Sequence, residues 1–239
     1  MFDTGGMALA DLADLIERVQ PLTLSQEQLL AVPEALASLF PWGGIQRGWS
    51  VGVAGDGAWS IATALWAEAL GAEGWVALVG APDVGLAAAS QAGVRLDRVI
   101  VVETPPASQW ATVVATLIEA FDIVAIDPVG RVGQREARRL TARAREQGTV
   151  LFHLDGGQSW PTAIDLTLTG STSQWEGIGR GHGYLRSRQL LVDAVGRRTG
   201  HPRSTTLSLP LGLLPSDLGP SDLAVSDLAV GKGALRNGA

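Results

Sequence analysis

The residues with the most chemical content lie in one short run. Residues 49–65 read Trp-Ser-Val-Gly-Val-Ala-Gly-Asp-Gly-Ala-Trp-Ser-Ile-Ala-Thr-Ala-Leu. This is a short apolar strand, a glycine-rich turn and the start of an alanine-rich helix. Such a turn presents backbone N–H groups and a helix N-terminus to a phosphate. A working nucleotide loop follows G-x-x-x-x-G-K-[ST], where the lysine reaches the outer phosphates and the hydroxyl holds magnesium. Here the turn runs Gly55, Asp56, Gly57, Ala58, Trp59, Ser60. It is too short, it has no lysine, and it puts the Asp56 carboxylate where an anion would sit. The expectation is a degenerate nucleotide loop on a surviving scaffold.

A second acid belongs to the same chemistry. Phe121-Asp122-Ile123-Val124-Ala125-Ile126-Asp127 is an apolar strand ending in a carboxylate. In phosphate-loop enzymes the acid at this place helps hold magnesium, although ordinary strand ends also carry Asp. Its distance downstream of the glycine turn makes Asp127 the candidate magnesium acid. No Ser-His-Asp or paired-carboxylate constellation stands out, and Asp155 and Asp165 read as strand-end acids. With no cysteine and three histidines, disulfides and thiolate metal sites are excluded and no metal centre is expected.

Arginines form the other candidate set. A helix over 131–146 carries Arg131, Arg135, Arg138, Arg139, Arg143 and Arg145, with 131, 135, 138 and 145 near one face. Arg180, His182, Arg186 and Arg188 surround the glycine-rich turn 179–183, and Arg197, Arg198 and Arg203 follow. Contact with DNA or an acidic partner is one reading, and a solvated outer surface is the other. The net charge of −6 argues against nucleic acid as the main partner, since phosphate binding needs excess basic charge. Of eight tryptophans, Trp42 and Trp175 sit at turns where stacking on a base or partner is conceivable.

The elements that must position these groups follow from periodicity. A chain of 239 residues with 46% hydrophobic and 18% charged content suits one α/β domain plus tails. Helices are expected over 7–19 and, from an N-cap at Ser25, to Phe40, with a break at Pro33. From Trp49 a βαβα rhythm sets in: strands at 49–53, 75–79, 98–102, 121–126 and 149–154 alternate with helices at 59–71, 84–92, 107–119 and 131–146. Continuously apolar strands joined by helices imply a parallel sheet buried on both faces. After residue 160 the helices stop, and 163–169, 172–177 and 184–195 read as antiparallel hairpin strands. The tail from 199 carries Ser-Asp-Leu at 216–218, 221–223 and 226–228 and reads as disordered. The expected organisation is an N-terminal helical segment (1–40), a core (41–198) and a disordered tail (199–239). No run reaches the length of a membrane span and the first residues lack a basic region, so a cytoplasmic location is expected.

Several segments together resemble the RecA-like recombinase superfamily. More closely, they resemble the short ImuA-type proteins of actinobacteria called ImuA-prime. They are Leu39-Phe40-Pro41-Trp42-Gly43-Gly44-Ile45-Gln46-Arg47-Gly48, the strand and turn at 51–60, Pro128-Val129-Gly130-Arg131, Ala137-Arg138-Arg139-Leu140 and Trp175-Glu176-Gly177-Ile178-Gly179-Arg180-Gly181-His182-Gly183. The resemblance covers about residues 35–195. It implies an α/β, RecA-like (P-loop NTPase-like) three-layer core with a mostly parallel sheet and C-terminal antiparallel hairpins. Of the family's essential elements only Asp127 matches. The lysine and hydroxyl positions fall near Ala58 and Trp59, and the catalytic glutamate near Ala81.

The resemblance further implies an accessory role in SOS mutagenesis, the damage-induced DNA repair response. The implied partners are an ImuB-type Y-family polymerase homologue and an error-prone C-family polymerase, which together perform translesion synthesis. The expected function is a non-catalytic adaptor with no ATP or magnesium cofactor. The alternatives are a divergent ATPase in which Arg47 or Arg131 replaces the lysine, a direct DNA-binding module, and a cell-division inhibitor of the same degenerate fold. Thr206-Leu207-Ser208-Leu209-Pro210-Leu211 resembles the peptides that dock on sliding clamps, but such short matches arise by chance and direct clamp contact is not expected.

Overall fold

The computed structural model describes residues 28–81, 84–127, 132–154, 156–158, 160–179, 182–197 and 199–209. The strands are β1 (Leu29–Leu30), β2 (Ile45–Gln46), β3 (Ser50–Gly55), β4 (Val76–Val79), β5 (Val99–Val102), β6 (Ile123–Ile126), β7 (Val150–His153), β8 (Leu166–Gly179), β9 (His182–Gly196) and β10 (Arg203–Leu209). The helices are α1 (Glu34–Ala37), α2 (Ala58–Ala69), α3 (Leu86–Gln91), α4 (Ala107–Ile118) and α5 (Gln134–Gln147). Apart from the small β1–β2 pair, the strands form one eight-stranded sheet in the order β10-β9-β8-β3-β7-β6-β4-β5. Strands β8 through β5 in that row are parallel, and β9 is antiparallel to both β8 and β10.

Alternation along the buried strands sorts the core into two layers. Ile123 and Ala125 of β6, with Val150 and Phe152 of β7, pack on the α2 side against Ile61, Leu65 and Trp66. Val124, Ile126 and Leu151 pack on the other side against Val114 and Ile118 of α4 and Leu140 of α5. Every residue of β4, β6 and β7 is buried, as expected for strands covered on both faces, but β5, at the edge of the sheet, leaves Ile100 and Val101 exposed. Helix α5 stops at Gly148, whose left-handed φ of 72° lets its N–H reach the Ala144 carbonyl. This is the expected mixed α/β architecture, compatible with a RecA-like three-layer fold.

Three expectations change. A helix from Ser25 to Phe40 does not form over the described part. Instead Leu29–Leu30 pairs antiparallel with Ile45–Gln46, and the only helix there is α1, with Pro33 at its N-cap. Proline disfavours helix in the residue before it and removes a donor, so the helix can begin at Pro33 but not run through it. The two strands expected at 163–169 and 172–177 are one strand, β8, with register shifts between Thr172 and Gln174 and between Glu176 and Ile178. The tail does not begin at 199. Strand β10 pairs with β9 from Arg203 to Leu209 and buries Leu207. The helix expected at 7–19 and the Ser-Asp-Leu repeats lie outside the described residues.

Candidate functional site: a filled phosphate loop

The loop sits where β3 delivers the chain to α2. Gly55 and Gly57 adopt left-handed φ values of 75° and 69°, which glycine alone takes without strain. The exposed turn residue Asp56 donates its N–H to the Gly170 carbonyl of β8 at 2.8 Å. A Cβ on Gly55 would fall on that same carbonyl oxygen. One on Gly57 would lie 2.7 Å from Leu190 Cδ1 and 3.2 Å from Arg188 Nη1. The glycines therefore serve the approach of the turn to β8 and β9, and the Asp56 N–H is spent inside the protein.

The first turn of α2 is filled as well. The half-buried Trp59 indole donates to the Gly85 carbonyl at 3.2 Å. It packs edge-on against Trp66 with centroids 5.3 Å apart, and Trp66 in turn meets Phe152 at 5.7 Å. The Thr63 hydroxyl donates back to the carbonyls of Trp59 and Ser60 at 3.0 and 3.2 Å. Ala58 and Trp59 thus offer neither the ammonium nor the hydroxyl that a nucleotide and its magnesium require. The residues present do not fit that group.

Asp127 follows β6 on the same edge of the sheet as the loop. With β7 between β3 and β6, it stands two strand spacings away, about 10 Å. Its N–H donates to the Val79 carbonyl at 3.0 Å. Between the loop and Asp127 lies a residue that sequence reasoning passed over. His153 of β7 pairs in register with Gly52 and Ile126, is fully buried, and sets its ring 4.8 Å from Trp160. Its signal was faint, a polar residue closing an apolar strand. Among the described residues no group of three or more His, Asp or Glu is placed to hold a metal ion.

Arg47 belongs to the opposite edge, which removes it as a substitute for the lysine. It precedes β3 and pairs with Asp122 at 2.9 Å, while the second Asp122 oxygen accepts the Trp75 N–H at 3.0 Å. Asp165, buried at the head of β8, works the same way. It accepts the Ser50 N–H at 3.0 Å and pairs with Arg145 at 3.3 Å. These two carboxylates tie together the amino ends of the parallel strands. Arg131, Arg180, Arg198 and Asp155 lie outside the described residues.

The remaining basic candidates do not form one patch. Beyond Gly170, where β3 ends, β8 continues over 171–179 with β9 as a ribbon about 30 Å long. Arg186 is exposed on it, and Arg188 lays its guanidinium 4.5 Å over the half-exposed Trp175 ring. His182 pairs in register with Gly179 at the far end. Arg197 follows the other end of β9, nine positions from Arg188, or about 30 Å along the strand. Arg203 spends its guanidinium on the Ser38 and Phe40 carbonyls at 3.0 and 3.1 Å. On α5, Arg135, Arg138 and Arg139 are exposed, and Arg143 pairs with Glu119. Because Leu207 is buried in β10, the clamp-like peptide is not a free linear segment.

A mostly parallel, helix-covered sheet with C-terminal antiparallel strands is compatible with a RecA-like three-layer fold, and here protein groups fill the phosphate-loop position. The chain belongs to the family described as the MT3502 N-terminal domain, whose model matches residues 38–162. It is 35% identical over 137 residues to the uncharacterized protein Rv3395c of Mycobacterium tuberculosis (strain ATCC 25618 / H37Rv). That alignment covers 56% of this chain and 66% of the relative, so the chain spans slightly less than two thirds of the relative's length. Neither description names an enzymatic activity. No described helix is long and apolar enough to cross a membrane.

Proposed function

We propose that this chain is a non-catalytic, ImuA-type adaptor of an error-prone translesion synthesis complex. In this reading it acts in the cytoplasm during SOS mutagenesis and binds an ImuB-type Y-family polymerase homologue alongside a C-family polymerase. One observation carries the non-catalytic part: the loop donor at Asp56 and the helix-opening Trp59 are both committed to protein partners. The assembly part rests on the resemblance over residues 35–195. A divergent ATPase keeps only Asp127 of the required set, with Arg47 held at the wrong edge.

The test is binding of the purified chain to the ImuB-type homologue by calorimetry, with and without ATP and magnesium. The expected result is a complex whose affinity does not change with nucleotide. Absence of a complex, or one that forms only with nucleotide, contradicts the proposal. Deleting 199–239 is unsuitable for mapping the contact because it removes β10, so the truncation should start at 210.

A further inference from the structure

The fold brings together two basic segments that lie far apart in the sequence. Arg138 and Arg145 stand on one side of α5, seven positions apart. Arg197 arrives from the end of β9, anchored by its N–H to the Asp165 carbonyl at 3.2 Å. With the segment 161–163 beside the helix, these arginines line a groove of about 350 Å³ that also takes in Gln134, Thr141 and Thr162. Among the described residues no carboxylate lines it. The nearby Asp165 is turned to Arg145 and to the Ser50 N–H. In a chain of net charge −6, this is a local reversal of sign.

The hydroxyls are the second observation. Thr141 is only 6% exposed. Its Oγ1 and that of Thr162 are buried with no hydrogen-bond partner among the described residues. A buried hydroxyl left unpaired is destabilising, and native proteins rarely keep one without a reason. Two unpaired hydroxyl donors beside guanidiniums match the needs of a tetrahedral anion, whose oxygens accept single bonds from hydroxyls and paired bonds from arginine.

We propose that this groove binds a phosphate group. The same chemistry is offered by the backbone of a nucleic-acid strand and by a free phosphate ester. The site is separate from the loop at 55–60, and its existence does not depend on the adaptor reading.

The experiment follows the arginine side-chain N–H signals of the full chain by NMR. The two probes are inorganic phosphate and a single-stranded oligonucleotide without terminal phosphates. Saturable shifts of the Arg138 and Arg197 signals are expected with at least one probe. The R138Q/R197Q double variant should weaken that binding at least ~10-fold, since it removes two charge-assisted donors. T141V should weaken it several-fold without lowering the melting temperature, which a merely structural threonine would not do. An oligonucleotide that binds at least about 100-fold more tightly than phosphate, with affinity falling steeply with salt, identifies a nucleic-acid backbone as the source. An oligonucleotide that neither binds nor competes identifies a free phosphate ester. No saturable shift with either probe, or binding unchanged by either set of substitutions, overturns the proposal.

Discussion

Trp59 occupies the place where a nucleotide loop carries its magnesium-binding hydroxyl, and here the indole joins a chain of edge-on contacts through Trp66 to Phe152. Its function is packing. W59A is therefore expected to lower stability by about 2–3 kcal/mol, below the range for fully buried aromatics because Trp59 is half-buried. Urea unfolding measures this, and an unchanged midpoint would mean the indole is not part of the core. At this scale the sequence was partly legible. The missing lysine, the intruding Asp56 and the filled helix start could be read directly from residues 55–60. The clamps made by Asp122 and Asp165 could not, because their partners lie up to 115 positions away and no local pattern marks a carboxylate that will cap a distant strand.

Strand β10 is the element that most changes the boundaries of the protein. Along Arg203–Leu209 burial alternates, with Leu207 fully buried, and the strand pairs with β9 through seven registered positions. That alternation was present in the sequence, but the Ser-Asp-Leu repeats just beyond it drew the whole region into one disordered tail. Truncation after residue 209 is expected to leave the melting temperature unchanged. Truncation after 198 removes a strand, exposes the Leu190 and Val192 face of β9 and loses the Arg203 bonds to α1's end. It should lower the melting temperature by roughly 10 °C or more, since each kcal/mol is worth about 2–4 °C in a domain of this size. Equal melting of the two truncations, followed by circular dichroism, would remove β10 from the stable fold. At the N-terminus the break at Pro33 is legible in the sequence, but the pairing of Leu29–Leu30 with Ile45–Gln46 is not, because the partner strand lies on the far side of α1.

For the whole molecule, the alternation of apolar strands and helices was enough to read a parallel, doubly covered sheet with antiparallel strands at its C-terminal end. The strand order was not legible, because the step from β3 over β7 and β6 to β4 depends on contacts that close only in three dimensions. That order sets the loop, His153 and Asp127 along one edge and the Arg47–Asp122 and Arg145–Asp165 pairs along the other. The extended length of β9 carries Arg197 to α5 and separates it from Arg188, dividing what the sequence presents as one basic region. With Asp56 and Trp59 committed to protein partners, the edge bearing the loop is not expected to serve a nucleotide. Calorimetric titration of the full chain with ATP and magnesium, followed in parallel by tryptophan fluorescence through Trp59, tests it most directly. No binding is expected at millimolar nucleotide. Micromolar binding that is lost in D127A would contradict it and return the loop and its acid to working chemistry.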